Sequence, residues 1–102
     1  MDEPPFHVTP VDGGTLHLSG ELDMASVPLL DGALEQVRAG SRVTLDVAGL
    51  TFVDSSGLYA LTRYASSLNG NGPLILANVP DSIAELLELV GFDQLETLDI
   101  RR

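Results

Sequence analysis

Thr51-Phe52-Val53-Asp54-Ser55-Ser56-Gly57-Leu58 is the stretch on which the reading of this chain turns. An apolar run ends there on an acid, two adjacent hydroxyls and a glycine. Behind it Leu58, Leu61, Ala65 and Leu68 recur at steps of three and four residues, which places them on one side of a helix. The change at Asp54 to Gly57 therefore reads as a loop entering a buried helix. Ser55 and Ser56 lie at or beside its N-terminus, where backbone N–H groups lack intrahelical partners. Such a place is read first as a capping serine, and it can also hold an anion or a modified side chain.

Working outward toward the N-terminus, Val43 to Val47 reads as an inner strand, β-branched and apolar on alternate positions, with Gly49-Leu50 turning the chain toward Phe52 and Val53. Before it, Val27, Leu30, Leu34 and Val37 form the buried side of a first helix. Asp23 or Ser26 can cap it, Pro28 is tolerated in its first turn, and Gly40 closes it. Gly20-Glu21-Leu22-Asp23 precedes this helix, the glycine releasing the chain from a strand over Thr15 to Ser19. That strand pairs with Phe6 to Pro10 across the turn signal Asp12-Gly13-Gly14.

Toward the C-terminus, Asn69 to Pro73 is a loop, and Leu74 to Ala77 is a short strand without alternation, as expected of one covered on both faces. Asn78 and Pro80 open a third helix with Ile83, Leu86, Leu87 and Val90 inward. Gly91 stops it, Phe92 folds back as a plug, and Leu95 to Ile100 is the last strand. The order β-β-α-β-α-β-α-β makes a small α/β domain over residues 1–102, a mixed sheet with an N-terminal hairpin at its edge and helices packed against it. Loops following strands collect at one end, so Gly20 to Asp23 and Asp54 to Gly57 form one surface patch.

Composition narrows the function. The formal net charge is -10 and all five basic residues apart from histidine are arginines: Arg38, Arg42, Arg63, Arg101 and Arg102. A chain this acidic lacks the clustered cations that nucleic acid or an anionic membrane demands; its charge suits a partner with a basic surface and is equally explained by solubility. No apolar run approaches the roughly 20 residues of a membrane span, and the acidic Met1 to Pro5 is unlike a signal peptide, so a cytoplasmic location is expected. Without cysteine there is neither a disulfide nor a thiolate metal site. His7 and His17 sit on strands without a surrounding set of ligands, so no metal is expected.

Catalysis finds little support. No Gly-x-Ser-x-Gly elbow surrounds Ser55 or Ser56, and the two histidines are committed to strands. There is no phosphate loop and no Gly-x-Gly-x-x-Gly, and a receiver domain would need a lysine that this chain lacks. The chain is read as a non-enzyme without a cofactor. A serine at a helix start can still accept a phosphoryl group from another protein's active site, and the added charge would spoil a docking surface.

Gly20-Glu21-Leu22-Asp23 after the second strand, the Leu45-Asp46 strand and Phe52-Val53-Asp54-Ser55-Ser56-Gly57-Leu58 together resemble the anti-sigma factor antagonists, or anti-anti-sigma factors, whose STAS domain is shared with sulfate transporter tails. The match runs from about Val8 to Leu98. The resemblance implies a partner-switching regulator of transcription. Its partner is an anti-sigma factor with serine kinase activity, which phosphorylates the first serine of Asp-Ser-Ser-Gly and thereby ends the interaction. A serine phosphatase restores it, and ATP belongs to the kinase. Carried onto this sequence, the acceptor is Ser55, and Glu21, Asp23, Asp54, Ser56, Gly57 and Tyr59 line the partner-binding patch. Tyr59 is bulkier than relatives often have there, which makes the patch selective for its kinase. The competing expectation is a non-catalytic STAS adaptor or scaffold subunit in another assembly, with Ser55 rarely modified.

Overall fold

The structure, a computed structural model, describes residues 6–37, 42–68 and 72–102. Strand β1 (Phe6–Pro10) and β2 (Thr15–Leu22) form the antiparallel hairpin. Asp12 tightens its turn by accepting the Gly14 N–H at 2.9 Å. Then follow α1 (Val27–Glu35), β3 (Thr44–Val53), α2 (Ser55–Ser66), β4 (Leu74–Ala77), α3 (Asp81–Leu89), a 3-10 turn (Phe92–Gln94) and β5 (Leu98–Ile100). The sheet runs β1-β2-β3-β4-β5, with β2 through β5 mutually parallel. Crossovers of one hand between successive neighbours carry all three helices to the same face.

Strand alternation sorts the side chains between two faces. Leu16, Leu18 and Leu22 of β2 and Leu45, Val47, Leu50 and Val53 of β3 are buried against Leu30 of α1, Ala60, Leu61, Tyr64 and Ala65 of α2, and Ile83, Ala84 and Leu87 of α3. The intervening positions are partly or fully exposed and mostly polar, Ala48 and Phe52 excepted; His17 lies across from Asp46, Nδ1 to Oδ2 at 3.6 Å. In β4, Leu74, Ile75 and Leu76 are all buried, as its unbroken apolar run predicts.

The α/β class, element order and edge hairpin are those the sequence predicts, but several local readings are corrected. Gly20 does not release the chain: with φ 93° it sits inside β2, which continues to Leu22 past a register shift between Gly20 and Glu21. Nor does Gly49-Leu50 turn the chain. β3 is continuous to Val53, and Gly49 pairs with Ser19, where a Cβ would come within 2.7 Å of the Ser19 Cβ. A glycine is needed there because two backbones approach closely. In α2 the buried side is wider than expected, adding Gly57, Ala60 and Tyr64, whereas Leu58 and Leu68 are half-buried. Val90 is 44% exposed and belongs to no buried side of α3. Gly91 does end α3 in the left-handed conformation, φ 84°. The last strand is shorter than predicted, and Phe92 packs partly against the core. Gly40 and Asn69 to Asn71 lie outside the described residues.

The middle of α1 is tied to the last turn of α2. The Tyr64 hydroxyl donates to Asp31 Oδ1, Arg63 approaches the same oxygen at 3.4 Å, and its guanidinium lies 5.0 Å from the Tyr64 ring centroid. Burial, then the Asp31 carboxylate, push the Tyr64 pKa well above its usual value. A group whose pKa is raised by folding contributes stability that is full below its unfolded pKa and is lost as pH rises beyond it, here above about pH 10. Tyr64→Phe is expected to lose about 1–2 kcal/mol at pH 7 and to show a shallower alkaline decline than the parent. Urea denaturation at neutral and alkaline pH checks both.

Candidate functional site

α2 begins without a loop. Val53 is the last residue of β3, Asp54 is the N-cap with φ -97° and ψ -175°, and Ser55 is already helical. The expected Ser N-cap is therefore replaced by an acid. Asp54 Oδ1 accepts the Gly57 N–H at 2.9 Å, and the Asp54 carbonyl accepts the Leu58 N–H at 2.9 Å. A carboxylate is favoured there by the unpaired N–H groups and the positive end of the helix. Asp54→Ala is expected to cost about 0.5–2 kcal/mol, and Asp54→Asn less, since the amide oxygen still accepts. Chemical denaturation of both variants checks the cap.

The second half of the site is held by β2. The Asp54 N–H donates to the Leu22 carbonyl at 3.1 Å, and Leu22 is paired with Val53. Gly57 is buried against that same strand end: a Cβ on it would lie 2.6 Å from the Leu22 carbonyl oxygen. Close approach here joins the two loops that the sequence places at one end of the sheet.

After Leu22 the chain makes a tight turn around Ser26, which is only 3% exposed. Asp23 N–H donates to Ser26 Oγ at 2.8 Å, and Ser26 Oγ lies 2.8 Å from the Glu21 carbonyl to which it donates. Asp23 Oδ1 accepts the N–H groups of Ala25 and Ser26, both at 3.1 Å. Ser26 occupies the N-cap position of α1, but its hydroxyl points back into the turn and makes no side-chain cap. Asp23 thus shapes the turn through Oδ1 while its residue remains half-buried.

Of the predicted patch, Glu21, Ser55 and Tyr59 are exposed, Asp23, Asp54 and Ser56 are half-buried, and Gly57 is buried. Glu21 pairs with Phe52, and Arg63 is engaged by Asp31, so the surround of Ser55 is acidic. Among the described residues, no group of three or more His, Cys, Asp or Glu is placed to hold a metal ion. The structure adds Met24, 74% exposed. Sequence pattern passes over it as a site residue because an isolated apolar side chain reads first as core. The available signal was that Met24 precedes the α1 periodicity.

Comparisons with known proteins agree with this architecture. A family model described as "Mlab, STAS domain" matches residues 8–98. A search of curated proteins found no match. Among solved structures, an anti-sigma factor antagonist from Mycobacterium paratuberculosis is 26% identical, with a TM-score of 0.73 over 92% of this chain and 83% of that one. The anti-sigma factor antagonist SpoIIAA in its unphosphorylated form is 19% identical, TM-score 0.67, over 93% of this chain and 86% of that one. The Bacillus cell fate determinant SpoIIAA in the phosphorylated form, also 19% identical, has a TM-score of 0.61 over 93% and 89%. At that identity the SpoIIAA structures speak to the fold. The family match spans nearly the whole chain, and with the strand-to-helix junction at Asp54 it shows that the chain belongs to the STAS domain family.

Proposed function

We infer that this STAS domain is an anti-sigma factor antagonist, a non-enzymatic regulator that binds an anti-sigma factor with serine kinase activity and is released by phosphorylation of Ser55. One observation carries the reading. Ser55 is exposed at the first turn of α2, directly after an acid that has taken over the capping role, whereas Ser56 is half-buried. A kinase active site needs the hydroxyl clear of the fold, and of the two adjacent serines Ser55 offers it. Similarity to an anti-sigma factor antagonist at 26% identity supports the same partner class. Glu21, Asp23, Asp54, Ser56, Gly57 and Tyr59 complete the binding patch. ATP is the kinase's cofactor, and a serine phosphatase resets the switch. The acidic chain argues against direct binding to nucleic acid or an anionic membrane. No helix among the described residues is long and apolar enough to cross a membrane, which fits the proposed cytoplasmic setting.

Incubation with the cognate kinase and ATP, followed by fragmentation mass spectrometry, tests the assignment. The added phosphate is expected on Ser55; a phosphate found chiefly on Ser56 would overturn it. A second reading is a STAS adaptor subunit with Ser55 rarely modified, since the family match gives the domain and no partner. Affinity capture from the source cells separates the two. Recovery of a kinase that also holds a sigma factor supports switching, and recovery of a permease or another signalling assembly supports the adaptor.

A further inference from the structure

We propose that the partner docks over the outer face of the two helix starts, on Met24 and Tyr59 as apolar anchors, and not over the open face of the sheet. This rests on the antagonist reading and specifies the chemistry of its interface. Three large apolar side chains stand exposed near Ser55: Met24 at 74%, Tyr59 at 68% and Phe52 at 48%. They do not share a face. Val53 points into the core beneath the helices, so strand alternation turns Phe52 to the opposite side of the sheet, beside Glu21.

Met24 and Tyr59 are on the helix side. Both helices return from parallel neighbouring strands and run in the same direction, and Asp31 of α1 meets Arg63 and Tyr64 of α2. One turn back from Asp31 is Val27, and one turn back from Tyr64 is Ala60. The first turn of α1 is therefore level with α2 near Tyr59, to within about a turn. Met24 projects from the bend just before α1, and Tyr59 follows Ser55 on the same solvent-facing side of α2 at i,i+4 spacing. Exposed Pro28 lies at the start of α1. An adaptable thioether and a rigid amphipathic ring are the kinds of side chain that dominate binding when buried. Beside them stand Asp23 and Asp54, on a chain of net charge -10. The surface that fits is an apolar recess with a basic rim on the anti-sigma kinase: contact area from the anchors, approach and orientation from the charges.

The test uses the full chain and the purified anti-sigma serine kinases of the source organism, with ADP present, and compares Met24→Ser, Tyr59→Ser and Phe52→Thr with the parent. Both anchor variants are expected to weaken binding at least about tenfold, and Phe52→Thr less than about threefold. All three should keep a parent-like fold by circular dichroism, because the altered side chains are exposed. Affinity that is unchanged by the two anchor substitutions, or that falls most for Phe52→Thr, would overturn the docking face while leaving the antagonist reading intact. Failure of every kinase to bind the parent chain would overturn both.

Discussion

Gly57→Ala is expected to destabilise the domain by about 3 kcal/mol. The added Cβ would lie 2.6 Å from the Leu22 carbonyl oxygen, 2.9 Å from Leu22 Cγ and 3.0 Å from Val53 Cγ1. The nearest of these atoms is backbone, fixed by its bond to the Asp54 N–H, so the clash cannot be relieved by a rotamer change. Alanine's better helix propensity recovers only about 1 kcal/mol. For a domain of this length the net loss corresponds to a fall in melting temperature of roughly 10–20 °C. Gly32→Ala is the matched comparison: within α1 nothing lies within 4 Å of its added methyl, and a gain of about 0.5–1 kcal/mol is expected. Thermal and urea denaturation of the two variants decide the matter. A Gly57→Ala protein as stable as the parent would mean that α2 does not rest on β2 as described.

Phosphorylation at Ser55 is expected to weaken the kinase partner's binding by at least about tenfold, or roughly 1.4 kcal/mol, without refolding the domain. The phosphoryl group adds about -1.5 to -2 charge beside the Asp54 carboxylate and near Asp23, on a surface that already repels anions. A partner that meets this patch with basic groups and a close-fitting apolar recess meets a bulky dianion in place of a hydroxyl. The cost inside the domain is small by comparison, because the helix N-terminus attracts the same charge and Asp54 keeps its own N–H partner at Gly57. Enzymatically phosphorylated protein is the sample to use, since Ser55→Asp supplies one charge on a planar group. Calorimetry with ADP present should show the affinity loss, and amide NMR of the free domain should confine shifts to residues 20–24 and 53–60. Equal affinity in both states would reject the switch, and shifts throughout the core would indicate a refolding mechanism.

Local pattern carried the order of elements, because helix periodicity and strand alternation are written in neighbouring residues. The junction at Asp54 was legible for the same reason: an apolar strand, an acid, two hydroxyls and a glycine follow one another directly. What escaped depends on contacts between distant segments. Gly20 and Gly49 look like breaks, yet each lies within a strand, and their roles follow from the register between β2 and β3. Asp23 and Ser26 were both candidate caps for α1. Their mutual hydrogen bonds, which turn the chain instead, depend on where the end of β2 sits. Which of Asp54, Ser55 and Ser56 caps α2 was open until backbone angles distinguished them. Met24 was invisible as a surface residue because hydrophobicity alone does not say which way a turn faces.

Strand order in this sheet equals chain order, and that bears on how the protein is made. Each new strand joins the edge left by the one before, so no strand has to be inserted between two already paired. The β1-β2 hairpin, α1, β3 and α2 precede the remaining third of the chain during N- to C-terminal synthesis. A nascent chain can therefore bring Asp23 and Ser55 together while β4 is still unmade. Until that strand emerges, β3 presents an unpaired edge over Thr44, Leu45 and Asp46. That edge is the point at which a stalled or truncated chain would be most prone to aggregate.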